Sequence, residues 1–330
     1  MNLAVLSAGT WGISLAALLR GKGHDVRVWE YAPAVVEELA RTRKHPKLPG
    51  FQVPPDVVLT TNIARAIQGV EGIVFVPPAA HLRETAKRVA EAGYRGQPCV
   101  ICSKGIEQGT HALPVEVLLE ELGAAAKGKV GILSGPSHAE EVSRGMPTVV
   151  TAAATDLALA EWIRDLFMTP RFRVYTQTDV VGVELAAALK NVIAISCGVS
   201  DGLGFGDNAK AGLITRGLQE ILRLGVARGA KPDTFFGLAG IGDLVVTCMS
   251  RHSRNWKYGS LLGAGTPPEQ ALAQVGMVVE GYYTVRAAVE LAAESKVEMP
   301  ITREVANVIF HGKSALEAVS ALMLRDPKQE

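Results

Sequence analysis

Apolar residues in the first half of the chain fall in short runs separated by stretches with a helical period. The runs are Leu3–Leu6, Val26–Trp29, Val57–Thr60, Gly72–Val76, Cys99–Cys102 and Val130–Leu133. Between them lie amphipathic stretches such as Gly12–Arg20, Ala34–Arg43, Leu82–Ala92 and Pro114–Leu122. Strands that are apolar throughout must be covered on both faces, and their alternation with helices predicts a parallel, doubly wound sheet. A further strand, helix and strand follow at Thr148–Ala152, Leu157–Phe167 and Phe172–Tyr175. From Asp179 onward the 3.6-residue period takes over. Val183–Cys197 reads as an Ala-rich helix, apolar over most of its circumference and therefore deep in its domain. Helices are expected again over about Asn208–Arg228, Glu280–Ser295, Pro300–Phe310 and Ser314–Met323. The pattern predicts an α/β domain over residues 1–178 and an all-α domain over residues 179–330.

Composition narrows the classes. A chain of 330 residues exceeds one ordinary domain, and 48% hydrophobic with 20% charged residues excludes intrinsic disorder. Lys and Arg number 34 against 33 Asp and Glu, so no global charge argues for a nucleic-acid or anionic-membrane partner. Cys99 and Cys102 form a C-x-x-C, but on a strand residues three apart point to opposite faces, so they are expected to be buried thiols. With no second such pair and scattered histidines, no metal is expected. The first strand starts without a basic leader, and no uninterrupted apolar run approaches the ~20 residues of a membrane span. These features predict a cytosolic protein without membrane insertion.

The first strand runs into Ser7-Ala8-Gly9-Thr10-Trp11-Gly12, where the first helix begins. This is the dinucleotide fingerprint G-x-G-x-x-G with Ser7 in place of its first glycine. A strand before, a helix after, and Glu30 closing the second strand near the ribose-binding spacing strengthen the match and make the fold Rossmann-like. Gly9 lets the main chain approach a pyrophosphate, Gly12 lets the helix pack on the strand, and the helix N-terminus offers N–H groups to phosphate. A positive φ at Ser7 would cost about 1 kcal/mol or more relative to glycine. Glu30 can accept from a ribose diol and would repel a 2′-phosphate, and Tyr31-Ala32-Pro33 bring no arginine beside it. NAD(H) is therefore expected to be favoured over NADP(H).

Four polar clusters interrupt otherwise apolar stretches. Ser103-Lys104-Gly105-Ile106-Glu107 and Leu133–Val142, which contains Ser137, both lie at strand ends, where doubly wound sheets bind ligands. Lys190-Asn191 sits inside the Ala-rich helix, and Gly240-Ile241-Gly242-Asp243 is followed by Thr247 and by Ser253-Arg254-Asn255. Each also has an ordinary structural explanation. Lys104 fits a solvated loop, Lys190 could snorkel, Asp243 could cap a helix from Leu244, and Arg254 could be a surface charge. Together, two amines, a carboxylate and a guanidinium suit a small phosphorylated substrate.

On these residues the chain resembles the bacterial-type NAD(P)-dependent glycerol-3-phosphate dehydrogenases, over essentially its full length. The resemblance is carried in order by SAGTWG, CSKGIE, LSGPSHAEEV, VGVELAAALKNVIAI, GLGFGDNAKAGLITRG, LAGIGDLVVTC, SRN and VVEG. It implies reversible hydride transfer between NAD(P)H and dihydroxyacetone phosphate, giving sn-glycerol 3-phosphate for glycerophospholipid synthesis, and a homodimer formed through the helical domain. It implies Lys190 as the catalytic lysine, with Lys104 and Asp243 beside it. Lys104, Gly135, Ser137, Lys190, Asn191, Asp243, Thr247, Ser253, Arg254 and Asn255 would contact substrate. Ser7, Gly9, Thr10, Trp11, Gly12, Glu30, Lys104, Ala139, Arg254, Val278 and Glu280 would bind the cofactor. The departures are Ser7, His138 where relatives often have Phe, and Glu30-Tyr31 where a small residue and a basic one are more usual.

Ketone reduction needs a hydride on carbon and a proton on oxygen. Lys190 as ammonium can donate that proton and as amine accept it in reverse, with burial lowering its pKa and Asp243 opposing the shift. The chain is thus expected to place an amine of the helical half against a nicotinamide bound by the sheet half. Reductases of hydroxyacids, phosphogluconate or ketopantoate share the architecture without the GPS and SRN combination. A regulatory nucleotide-binding protein without catalysis would have no use for Lys104, Lys190 and Asp243.

Overall fold

A computed structural model describes residues 1–327 and residue 329. The chain divides into two compact units. One comprises Met1–Lys104 and Ala112–Val180, the other Gly105–His111 and Val181–Glu330.

The first unit alternates strand and helix. Its first half runs β1 (Asn2–Leu6), α1 (Thr10–Gly21), β2 (Asp25–Trp29), α2 (Pro33–Thr42), β3 (Val58–Thr60), α3 (Ile63–Ile67), β4 (Gly72–Phe75) and α4 (Leu82–Glu91). Then come β5 (Cys99–Ile101), α5 (Pro114–Leu122), β6 (Val130–Ser134), α6 (Ala139–Val142), β7 (Thr148–Ala154), α7 (Leu157–Phe167) and β8 (Phe172–Gln177). The eight strands form one sheet in the order β3-β2-β1-β4-β5-β6-β7-β8. The order reverses between β1 and β4, the switch point at which such sheets bind ligands. Leu3, Val5, Val28, Val74 and Val100 are fully buried in the core, as strands covered on both faces require. The sheet is parallel, as expected, except that β6 and β7 pair antiparallel, Gly131 opposite Ala154. The link between them carries only the one-turn α6, whereas a parallel return needs a full crossover connection.

The second unit is helical. It contains α8 (Val180–Gly202), α9 (Asp207–Ala227), α10 (Pro232–Phe235), α11 (Asp243–Met249), α12 (Arg254–Gly263), α13 (Pro268–Val275), α14 (Glu280–Glu294), α15 (Pro300–Phe310) and α16 (Ala315–Met323). Helices α12 and α13 were not expected from the period, because α12 is polar and holds Gly259 and Ser260, both poor helix formers. Among the described residues α8 alone is long and apolar enough to cross a membrane, with a mean hydropathy of 1.7 in its most apolar window, and 94% of that window is buried. Its apolarity serves packing. A side chain at Gly259 on α12 would place a Cβ 2.0 Å from the Ile195 carbonyl oxygen, and one at Gly198 on α8 would stand 2.1 Å from that of Trp256. The two backbones therefore touch, which places the start of α12 against the middle of α8. The buried Glu220 of α9 accepts from the N–H groups of Ile301, at 2.6 Å, and Thr302, at 3.1 Å, tying down the start of α15. Burial pushes its carboxyl pKa up, against the pull of those donors.

Candidate active site

In the first unit, the turn after β1 has the geometry that the fingerprint requires, at a cost. Ser7 has φ 104°, a region that favours glycine. Its carbonyl oxygen would lie 2.0 Å from a Cβ at position 12, so Gly12 is obligatory for α1 to start there. No side chain hydrogen-bonds as a cap to α1, and no acidic residue stands in its first turn. Gly9 is the residue before the helix, and Thr10 and Trp11 are its first two. Glu30, just past β2, is held by the same turn: Oε2 accepts from the Ala8 N–H at 2.8 Å, and Oε1 from that of Ala32 at 3.3 Å. The Ser7 hydroxyl approaches Oε2 at 3.5 Å.

A second cluster forms where β5 and β6 end, on the same side of the sheet because both run parallel to β1 through β4. Lys104 Nζ donates to the Gly135 carbonyl at 3.2 Å, and the Ser137 hydroxyl donates to the same oxygen at 2.9 Å. Gly135 has φ 141°, and a Cβ there would stand 2.9 Å from Val150 Cα, so only glycine turns the chain here. Ala139 opens α6, and its carbonyl accepts from Ser14 of α1 at 3.4 Å, linking this loop to the start of the nucleotide turn's helix.

In the second unit, Lys190 and Asp243 form a buried ion pair, with side chains 6% and 1% exposed. Lys190 Nζ also donates to Thr247 Oγ1 at 2.8 Å, and that hydroxyl donates to the Asp243 carbonyl at 2.6 Å. The local fold makes this possible. Asp243 begins α11 directly after a single π-type turn at Leu238–Gly242, and Thr247 follows one helical turn later on the same face. A Cβ at Gly240, in that turn, would meet the Phe235 carbonyl oxygen at 2.1 Å. Asn191, next to Lys190, accepts from Asn255 Nδ2 at 2.9 Å, and Asn255 Oδ1 accepts from the Gly281 N–H at 2.8 Å. The chain Asn191–Asn255–Gly281 ties together the middle of α8 and the starts of α12 and α14.

Other expected residues lie around this group with different surroundings. The Ser253 hydroxyl is engaged in capping α12, accepting from the Trp256 N–H at 3.2 Å. Arg254 is exposed at the first position of α12, and Val278 is 37% exposed just before α14, which Glu280 begins. Within each unit, then, the expected residues gather. Ser7 to Gly12 with Glu30, and Lys104 with Gly135 and Ser137, are set in the first. Lys190, Asp243 and Thr247 with Asn191 and Asn255 are set in the second. The Gly281 N–H was not anticipated, because a backbone donor leaves no side-chain signal; its place in VVEG was the only hint. Among the described residues no cluster of His, Cys, Asp and Glu could hold a metal ion. Chemically, the second unit holds an amine desolvated by burial, oriented by a carboxylate and a hydroxyl, and able to exchange a proton.

Comparison with known proteins agrees along the whole chain. The family model described as NAD-dependent glycerol-3-phosphate dehydrogenase N-terminus matches residues 2–160, and its C-terminal counterpart matches residues 179–320. A curated glycerol-3-phosphate dehydrogenase (NAD(P)+) of Enterococcus faecalis is 48% identical over 332 residues, covering 100% of this chain and 97% of its own. The one from Geobacillus thermodenitrificans is 48% identical over 331 residues, covering 100% and 96%. A crystal structure of glycerol-3-phosphate dehydrogenase from Coxiella burnetii superposes with a TM-score of 0.93 at 35% identity, covering 98% of this chain and 99% of that one.

Proposed function

This chain belongs to the NAD-dependent glycerol-3-phosphate dehydrogenase family and is an NAD(P)-dependent oxidoreductase; from that premise we propose that Lys190 is the proton donor and acceptor when dihydroxyacetone phosphate and sn-glycerol 3-phosphate interconvert. The buried group of Lys190, Asp243 and Thr247 carries this reading. An ammonium costs several kcal/mol to bury without a partner, and a well-packed apolar residue would stabilise a helix core at least as well. A lysine kept in the middle of an apolar helix, with a carboxylate brought to it from α11, is explained by proton exchange.

The residues at the Ser7–Gly12 turn fit a dinucleotide pyrophosphate: an uncapped helix start, an open flank at Gly9 and a closed one at Gly12. When bound there, a reduced nicotinamide supplies the hydride. Lys190 delivers the proton to the carbonyl oxygen of the ketone, and Asp243 and Thr247 fix the direction of Nζ while it does so. Asp243 then stabilises the ammonium whenever Lys190 regains its proton. Lys104 polarises the substrate, and Arg254, whose fork is exposed, holds the non-reacting phosphate, so that phosphate binding orients the reacting carbon. Glu30 already accepts two backbone N–H bonds and keeps acceptor capacity for a ribose diol, which favours NAD(H) over NADP(H).

Following NADH absorbance with dihydroxyacetone phosphate tests the reading. The unaltered chain turns over. Lys190→Ala loses on the order of a thousandfold in kcat while still binding NADH, the loss expected for a positioned acid. Near-normal kcat in the variant removes Lys190 from its role, and an inactive unaltered chain removes the whole assignment.

A further inference from the structure

Directly after Lys104 the chain leaves the first unit. Residues Gly105–His111 form a strap that belongs to the second unit, although the chain from Ala112 returns to the first. The fastenings of this strap lie on α14. Gln108 Nε2 donates to the Tyr283 carbonyl at 3.2 Å. The His111 ring stands between two carboxylates, with Nε2 2.8 Å from Glu290 Oε2 and Nδ1 3.0 Å from Glu294 Oε1. Those glutamates follow one another by a turn of helix and are about half exposed, whereas the His111 side chain is only 14% exposed.

Both ring nitrogens face oxygens that, when ionised, only accept. A neutral imidazole donates to one of them and turns a lone pair on the other, whereas an imidazolium donates to both. The complete clasp therefore carries a proton on each nitrogen. The other carboxylate of the strap, Glu107, accepts from the Thr110 hydroxyl at 2.5 Å. The backbone passes the hold along. His111 has φ 57°, a region in which histidine is commoner than most side chains, and its N–H donates to the Glu107 carbonyl at 3.1 Å. A grip on the ring is thus a grip on a closed turn that starts three residues after Lys104. The same α14 carries Gly281, whose N–H donates to Asn255 Oδ1 at 2.8 Å. One helix fixes both the strap that follows Lys104 and the Asn255–Asn191 pair next to Lys190.

We propose that His111 is a positioning residue for the reaction: its doubly protonated ring clamps the strap to α14 and so holds Lys104 in place, and the clamp weakens as pH rises. This rests on the reading of Lys104 as the amine that polarises the substrate. The sign follows from the donors. Raising pH removes one ring proton and with it one of the two bonds to α14, and lowering pH restores it. Because ion pairs this exposed add little to stability, the clasp matters through geometry, and its loss shows in turnover more than in unfolding.

The test measures kcat and KM for dihydroxyacetone phosphate, with NADH, in the full-length chain and in His111→Ala, His111→Gln and His111→Arg. In His111→Ala kcat falls about tenfold while KM moves little, the split expected when a polarising group is misplaced but the phosphate is still held. The ratio of unaltered to His111→Gln kcat is largest at about pH 6 and approaches one at about pH 9, because the neutral ring and the amide each donate once. His111→Arg keeps its charge and two donors, so it retains most of kcat and loses less than His111→Gln at the lower pH. Glu290→Ala with Glu294→Ala, at exposed positions on a helix that alanine suits, reproduces the kcat loss without touching the strap, and adding His111→Ala lowers kcat no further. Cleavage after Glu107 by a glutamate-specific protease reads the strap without turnover and is faster in His111→Ala. Unchanged kcat in His111→Ala, a His111→Gln ratio that does not vary with pH, additive losses in the triple variant, or unchanged cleavage each overturn this assignment alone. No turnover by the unaltered chain overturns the reading of Lys104 and this assignment with it.

Discussion

Ser7 shows how one residue can conflict with its local conformation. Its φ of 104° lies outside the region open to most side chains, and such placements cost about 1–3 kcal/mol. Part of that is offset in the unfolded chain, where glycine has roughly 0.4–1 kcal/mol more entropy to lose. Strain is the larger of the two. Ser7→Gly is therefore expected to stabilise the protein by about 1 kcal/mol, read as a higher urea midpoint at unchanged slope. A lower midpoint would mean that the hydroxyl's long contacts to Gly9 N–H and Glu30 outweigh the strain. The substitution at position 7 and its cost were legible from sequence, because a fingerprint turn dictates backbone angles locally. The pairing of Lys190 with Asp243 was expected through the family resemblance alone; periodicity and composition do not show it, since the two stand 53 positions apart and meet only when α11 folds against α8.

At the scale of elements, the α8–α12 contact decides how the site is built. Its glycines let the backbones touch, and that closeness brings Asn255 within reach of Asn191 and of the Gly281 N–H. Gly259→Ala puts a methyl group where the Ile195 carbonyl stands, and a neighbour made of backbone cannot turn aside. Overpacking of this kind costs about 1–3 kcal/mol. The expected result is a lower midpoint of denaturation together with reduced turnover, because the helices must part at Asn255. Wild-type stability in that variant would show that the two helices separate freely. Strands were easier to read than helices here. β1 and β4 are apolar runs whose burial on both faces follows from composition alone, whereas α12 is short, polar and glycine-bearing and acquires its helical form from packing.

At the scale of the whole molecule, all four cysteines are buried, Cys99 and Cys102 in the first unit and Cys197 and Cys248 in the second. Burial pushes the Cys99 thiol up to about 12 and raises Cys102 and Cys248 as well. The thiolate is the reactive form, so at pH 8 the folded protein should leave all four thiols unlabelled by an aromatic disulfide reagent. Denaturant should release all four, each pair reporting the opening of its own unit. Fast labelling of the native protein would show that a unit opens readily under native conditions. The amino-acid order by itself determined the run of strands and helices, the glycine turn, and the residue types able to handle phosphate and protons, because those depend on neighbours a few positions away. Only the tertiary structure decided that β7 reverses against β6, that Lys190 also bonds Thr247, and that Asn255 bridges Asn191 to the Gly281 N–H. The reversal follows from the short link after β6, and the other two join segments far apart in sequence, where packing leaves no periodic trace along the chain.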